Sequence, residues 1–359
     1  MSEERPRSTC AEAHNVPNIS DSATKTPVPH LVRRVLVCLD RSALSEACLP
    51  YAGFMARVLG ADLTLLHVMP SPNEVEAGAF DVLGWEISRR EAEQYLAHLQ
   101  AELTARGVPP MRIHIELAQG QPASRVLSLE RESHADLLVL SRHGEGGRAV
   151  WSLGATAQRV LMNATGSLLI VPTEGLAQVV PPQRILVPLD GSSRAESVLP
   201  LVLEAATAQQ AEVILVHVVT EPRPSGVFND AGDLRLARTL ATHLERGAEA
   251  YLAGVRERLL HVLPRVKVQV LRRSDTREAV LGAARDESVD LLVLSAHGAT
   301  CNAAHPFGSV TAHALAYAAL PLLVVQDLPS DRPRSERPSL PDGSLEAGRG
   351  SLSSRPVKN

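Results

Sequence analysis

The sequence predicts an α/β fold made of two tandem doubly wound domains, each a five-stranded parallel sheet with helices on both faces. Three observations carry this. First, sequence words recur in the same order: "RVLVCLD" (Arg34–Asp40) returns as "RILVPLD" (Arg184–Asp190), and "LLVLSRHG" from Leu137 returns as "LLVLSAHG" from Leu291. Self-similarity in fixed order marks a duplicated unit. Second, short β-branched and leucine runs alternate with longer stretches of helical period. Third, the short runs are apolar at consecutive positions, as strands covered on both faces require.

The elements follow in order. In the first copy the strand runs are Val35–Leu39, Leu63–Val68, Arg112–Leu117, Leu137–Ser141 and Leu168–Val171. In the second they are Ile185–Leu189, Val213–Val218, Val266–Leu271, Leu291–Ser295 and Leu322–Val325. Helical words between them also repeat: "EACLP" (Glu46–Pro50) with "ESVLP" (Glu196–Pro200), and "AEQYLA" (Ala92–Ala97) with "AEAYLA" (Ala248–Ala253). The expected boundaries are a disordered tail over 1–30, a first domain over 31–173, a linker over 174–183, a second domain over 184–327 and a disordered tail over 328–359. The tails are polar and rich in Ser and Pro, and a Pro pair marks the linker.

Composition narrows the function classes. The 359 residues are 45% apolar, enough for two cores. A net charge of -4 and 3% aromatics argue against a nucleic-acid partner. No run reaches the roughly 20 apolar residues of a membrane helix. The first thirty residues have no apolar signal core. The four cysteines, Cys10, Cys38, Cys48 and Cys301, form no C-x-x-C pair and no zinc spacing, which suits a reducing cytoplasm.

In such sheets ligands sit past the carboxyl ends of the strands, where strand order reverses. The first strands end in Asp40 and Asp190, the second in His67-Val68 and His217-Val218, the fourth in Ser141-x-His143-Gly144 and Ser295-x-His297-Gly298. After Gly144 come nine residues and then Gly154-Ala155-Thr156, and after Gly298 come nine and then Gly308-Ser309-Val310-Thr311, each opening a helix. A glycine at the strand end permits close approach and positive φ. A helix start offers free N–H groups, a hydroxyl and the positive dipole end. Together these make a phosphate cradle. Plainer readings stand beside it: Asp40 and Asp190 also suit capping of the next helix, and His67 and His217 suit buried structural roles. A histidine in a loop, as His143 and His297 are, does not by itself signal a catalytic base. There is no G-x-x-x-x-G-K-[ST] loop, no G-x-S-x-G elbow and no lysine between Lys25 and Lys267. Binding without fast phosphoryl transfer is the reading. Arg142 alone is placed to reach a phosphate in the first copy.

At these residues the chain resembles the universal stress protein family, whose ATP-binding members carry Gly-x-x-Gly, nine residues, then Gly-Ser or Gly-Thr. The second copy departs at Ser295, the first at Ser141 and Ala155. The resemblance spans about residues 31 to 327 and implies an adenine nucleotide alpha hydrolase-like sheet of order 3-2-1-4-5 in each domain. It also implies that the two fifth strands, Ser167–Val171 and Leu322–Val325, pair as an internal pseudo-dimer. A homodimer of the whole chain is left open. The implied ligand is ATP, with or without Mg, held mainly in the second domain. Pro188, Leu189 and Asp190 would meet ribose and base edge, and Val218 would meet adenine through its backbone. Ser295, His297, Gly298, Gly308, Ser309, Val310 and Thr311 would wrap ribose and phosphates. The first-domain counterparts are Leu39, Asp40, Val68, Ser141, His143, Gly144, Gly154 and Thr156, with Cys38 in place of Pro188. The implied role is a cytoplasmic nucleotide sensor or regulator of the stress response. The alternatives are a nucleotide-free interaction scaffold of the same fold and a slow ATPase.

Overall fold

The ten apolar runs become ten strands of a single sheet in the computed structural model, which describes residues 32–71, 81–144, 153–173, 181–220, 231–300 and 305–326. The first repeat runs β1 (Arg34–Leu39), α1 (Ala43–Glu46), α2 (Leu49–Leu59), β2 (Asp62–Met69), α3 (Val82–Ala105), β3 (Ile113–Gln119), α4 (Pro122–Ser133), β4 (Leu137–Ser141), α5 (Ala155–Asn163) and β5 (Ser167–Val171). The second runs β6 (Arg184–Pro188), α6 (Ser193–Glu196), α7 (Leu199–Gln209), β7 (Glu212–Thr220), α8 (Ala231–Leu260), β8 (Val266–Arg273), α9 (Thr276–Asp286), β9 (Leu291–Ser295), α10 (Ser309–Tyr317) and β10 (Leu322–Val325). The expected tails, most of the expected linker, Cys10 and Cys301 lie outside the described residues.

Strand order is β3-β2-β1-β4-β5-β10-β9-β6-β7-β8. Each repeat therefore has the order 3-2-1-4-5, with its own strands parallel. The two halves meet at β5 and β10, which pair antiparallel with Leu322 opposite Ile170, Leu323 opposite Leu169 and Val324 opposite Leu168. The side-by-side fifth strands are thus seen directly.

Alternation along the central strands explains the layers. Val35, Val37 and Leu39 of β1 point into one core and Leu36 into the other. The first core is roofed by α2, α3, α7 and α8, through Phe54, Leu99, Val202 and Val255 among others. The second is roofed by α4, α5, α9 and α10, through Val126, Val160, Val280 and Leu315. The expectation that every run is apolar on both faces fails at β3 and β8. Both are only partly buried, because they are the two outer edges. Glu116, Lys267, Gln269 and Arg273 stand there, and such polar edges discourage pairing with other chains.

Local chemistry sets the element ends. Pro50 and Pro200 lie in the first turns of α2 and α7, where a missing N–H costs nothing. Gly60, at φ 62°, ends α2, and its N–H returns to the Ala56 carbonyl. The carboxylates of Asp136 and Asp290, just before β4 and β9, accept the backbone N–H groups of Arg33 and Arg34 and of Gln183 and Arg184 at 2.7–3.0 Å. Each thereby anchors the start of the neighbouring first strand.

Glu130 is a device of the first repeat alone. It is 1% exposed, and its Oε1 accepts from Thr165 N, Thr165 Oγ1 and Gly166 N at 2.5, 2.7 and 2.7 Å. It fixes the turn that feeds β5 into the junction with β10. Glu130→Ala leaves three donors unserved in a dry place, and we expect it to destabilise the chain by about 3 kcal/mol in equilibrium urea denaturation.

Candidate functional site

The second repeat holds a cavity of about 290 Å³ past the carboxyl ends of β6, β7 and β9. Its wall takes in Pro188, Leu189, Asp190, Val218, Ser295, His297, Gly298, Gly308, Ser309, Val310 and Thr311, so the residues singled out from the sequence converge on one space. Asp190 is not itself the cap of the short helix after β6. The cap is Ser192, whose hydroxyl accepts from Ala195 N at 3.1 Å. Asp190 Oδ1 accepts from the backbone N–H and the hydroxyl of Ser192 at 2.9 and 2.6 Å, and Oδ2 accepts from Ala299 N at 2.7 Å. Burial pulls the carboxyl upward, but these hydrogen bonds outweigh it and hold Asp190 below the ordinary carboxylate range. The cavity therefore carries a fixed negative charge on the β6 side.

The glycine after Ser-x-His has a reason other than the expected positive φ. Gly298 is not among the left-handed glycines, and neither is Gly144. A Cβ on Gly298 would collide with Oδ2 of Asp190, and one on Gly144 would collide with Oδ2 of Asp40. The strand-end carboxylate occupies the room a side chain would need. Positive φ appears instead one residue after each carboxylate, at Gly191 (86°) and at Arg41 (68°).

Much of the loop's polarity is spent on the loop itself. Ser295 Oγ donates to the His297 carbonyl at 2.6 Å, and Thr311 Oγ1 donates to the Ser295 carbonyl at 2.8 Å. His297 is 2% exposed, and its Nε2 donates to the His305 carbonyl at 3.0 Å, tying the end of β9 to the approach to α10. What stays open is the start of α10. Its cap is Gly308, with no side-chain hydrogen bond, followed by the exposed hydroxyl of Ser309. The first-turn N–H groups and the dipole's positive end therefore belong to the wall of the cavity that Asp190 also lines.

The first repeat repeats the plan with less polarity. Its cavity of about 320 Å³ is lined by Cys38, Leu39, Asp40, Val68, Ser141, Gly144, Gly154 and Thr156, with Ala155 where the second repeat has Ser309. Ser141 Oγ donates to the His143 carbonyl at 2.7 Å, as its counterpart does. Thr156 is exposed and aligns with Val310, one residue beyond the missing hydroxyl. His143 does not line the cavity; its Nδ1 pairs with Thr173 Oγ1 at 3.3 Å. Burial pushes the Cys38 thiol up, so it serves as a neutral wall. Arg142 is among the lining residues, but its guanidinium is engaged elsewhere. Its side chain turns to the second repeat, where Nη2 donates to the Leu315 carbonyl at 2.8 Å.

His67 has the structural role open to it: buried, with Nδ1 donating to the Leu39 carbonyl at 2.9 Å. His217 differs. It lines the cavity edge-on to Tyr251, and its Nδ1 has no hydrogen-bond partner among the described residues. The sequence reading missed Thr276, Val280, Thr300, His305 and Phe307 in the second cavity, and Pro122 and Val126 in the first. Thr276 and Pro122 follow the third strands, whose ends, "RRSDTREAV" and "LAQGQPASRV", share no repeated word.

The sequence model of the universal stress protein family matches residues 32–172 and again 182–326. A universal stress protein of Mycolicibacterium smegmatis is 31% identical over 139 residues, 38% of this chain and 45% of that protein, so the match spans less than half of that relative. One of Synechocystis sp. is 22% identical over 312 residues, 81% of this chain and 99% of that protein. Among solved structures, a universal stress protein from Archaeoglobus fulgidus aligns over 82% of this chain and 96% of its own at 17% identity and a TM-score of 0.55. One from Pseudomonas aeruginosa aligns over 83% and 94% at 13% identity and a TM-score of 0.58. These two likenesses show the fold.

His67 supplies a pH test of the site's floor. Burial, the largest influence, lowers its pKa below the ordinary histidine value of about 6.5. The unfolded chain then binds more protons than the folded one near that pH. Stability is fully present above about pH 6.5 and declines as pH falls through the lowered folded value. We expect His67→Gln, which cannot titrate, to flatten this decline in urea midpoints measured from pH 7.5 to 5.

Proposed function

We propose that this chain, which belongs to the universal stress protein family, binds ATP in the second-repeat cavity and acts as a nucleotide-responsive regulator in the cytoplasm. The observation that carries the reading is the pairing of opposite charges in the lining of that cavity. A helix start with uncapped N–H groups and the Ser309 hydroxyl shares the lining with a carboxylate held ionised at Asp190. Phosphates belong at the first and ribose hydroxyls, as donors, at the second. The apolar stretch formed by Val216, Val218, Val280 and Leu294 offers a dry wall for the base.

The same residues favour holding over turnover. Among the described residues lining the two cavities, the only cationic side chain is Arg142, and its guanidinium is engaged at α10. No lining lysine stands ready to stabilise charge on a transferring phosphoryl group. The free, buried Cys48 and the free Cys38 accord with a reducing compartment.

A second reading, a scaffold that holds no nucleotide, draws on the self-bonded loop. Ser295 and Thr311 give their hydroxyl protons to backbone carbonyls and would shape the loop with or without ligand. Calorimetric titration of the full chain with Mg-ATP separates the two. We expect saturation near one site per chain, loss of binding in Gly298→Val, and weakening by about tenfold or more in Ser309→Ala. Ala155→Ser should strengthen the first-repeat site. Heatless titration of a chain whose fold is verified by circular dichroism would favour the scaffold. Phosphate release well above that of the Gly298→Val chain would favour an ATPase.

A further inference from the structure

Arg142 is where the two repeats build different things from the same position. It follows β4 directly, and its counterpart after β9 is Ala296. Arg142 is 9% exposed, yet among the described residues no carboxylate forms an ion pair with it, and its Nε has no partner. Its other donors go to α10: Nη2 to the Leu315 carbonyl at 2.8 Å and Nη1 toward that of Ala316 at 3.5 Å. Both carbonyls lie in the last turn of α10, where the helix has no N–H left to offer and its dipole end is negative. A buried cation that holds its charge needs such compensation.

Topology explains why the two meet. α10 runs back along the sheet to feed β10, so it begins at the carboxyl edge of the second repeat's strands and ends at their amino edge. Because β10 lies antiparallel to β5, that amino edge adjoins the carboxyl edge of the first repeat, where Arg142 stands. The helix is nine residues long, about 13 Å. Its far end opens the second-repeat cavity at Gly308 and Ser309. The backbone of Arg142 has a further duty: its carbonyl accepts the N–H of Gly154, the cap of α5, at 3.0 Å. Ala296 does the same for Gly308 at 2.8 Å, but its methyl group cannot reach across to α5.

We infer that Arg142 is a positioning residue supplied by the first repeat to the phosphate end of the second-repeat cavity, and that it couples the two cavities. The inference rests on reading the start of α10 as the phosphate site. Fixing the carbonyl end of a short helix fixes where its N–H end stands. The guanidinium charge also reinforces the dipole that an anion meets at the other end. Whatever shifts the Ser141–Gly144 loop, a ligand in the first cavity included, shifts that hold. By linkage, nucleotide bound in the second cavity must then alter affinity in the first by the same factor.

The test uses the full chain with Arg142→Ala, Arg142→Met and Arg142→Lys. The readouts are titration with Mg-ATP and with adenosine, and hydrogen exchange of the unliganded chain over residues 309–317 and 155–163. We expect Ala and Met to weaken ATP binding about tenfold while adenosine changes little, and to speed exchange in α10 but not in α5. Lys, which can serve one carbonyl but not the fork of two, should recover part of both effects. Equal losses for ATP and adenosine, or exchange that rises equally in α5 and α10, would show general loosening and overturn the positioning role. So would exchange in α10 that matches the parent chain. A parent chain that binds neither ligand would overturn the nucleotide reading, and the exchange comparison would still decide whether Arg142 holds α10.

Discussion

The antiparallel contact between β5 and β10 is the constraint from which the rest follows. Three registered pairs join them, Leu322 with Ile170, Leu323 with Leu169 and Val324 with Leu168, all deeply buried. Without the pairing, each five-stranded half would present an apolar strand edge with open hydrogen-bonding groups. With it, the outer edges of the described sheet are β3 and β8, both only partly buried and carrying polar side chains. The same contact orients the halves, because strands that run opposite ways across the junction put their carboxyl edges on opposite rims. The two cavities therefore face away from each other, and α10 spans from one rim to the other.

Within each cavity, a strand-end carboxylate and a glycine exclude each other's alternatives. Asp190 can reach Ser192 and Ala299 only because nothing projects from Gly298. Oriented this way, its charge lines the same cavity as the open helix start, with Gly298 adjoining both. Ser192 caps one short helix, Asp190 steadies Ser192, and Ser295 and His297 brace the loop that carries Gly298. Preorganisation of this kind removes ordering costs that a ligand would otherwise bear.

The repeat, its strands and the loop residues were readable because they are local words that recur. "LLVLS-x-HG" placed β4 and β9 to the residue, and the nine-residue spacing placed both helix starts. What escaped is non-local. Arg142 looked like a phosphate ligand, since its carbonyl partners lie 173 and 174 residues away in sequence. Gly298 looked like a turn glycine, since nothing in the sequence says that the Asp190 carboxylate fills the space beside it. Glu130 drew no notice at all, since its partners Thr165 and Gly166 lie 35 and 36 residues away in sequence. The role of Thr276 at the cavity was hidden because the ends of the third strands have diverged.

Joining the halves in one chain frees them from sameness. In an assembly of two identical chains about a two-fold axis, any substitution appears on both sides at once. An arginine at position 142 would then be matched by a second one at the other rim, and two buried cations would need two helix ends. A covalent pair carries the change once. Ala155 at the position equivalent to Ser309, and Arg142 at the position equivalent to Ala296, are departures that only a broken symmetry allows. One half is thereby free to change its cavity wall while the other changes what braces the helix behind it.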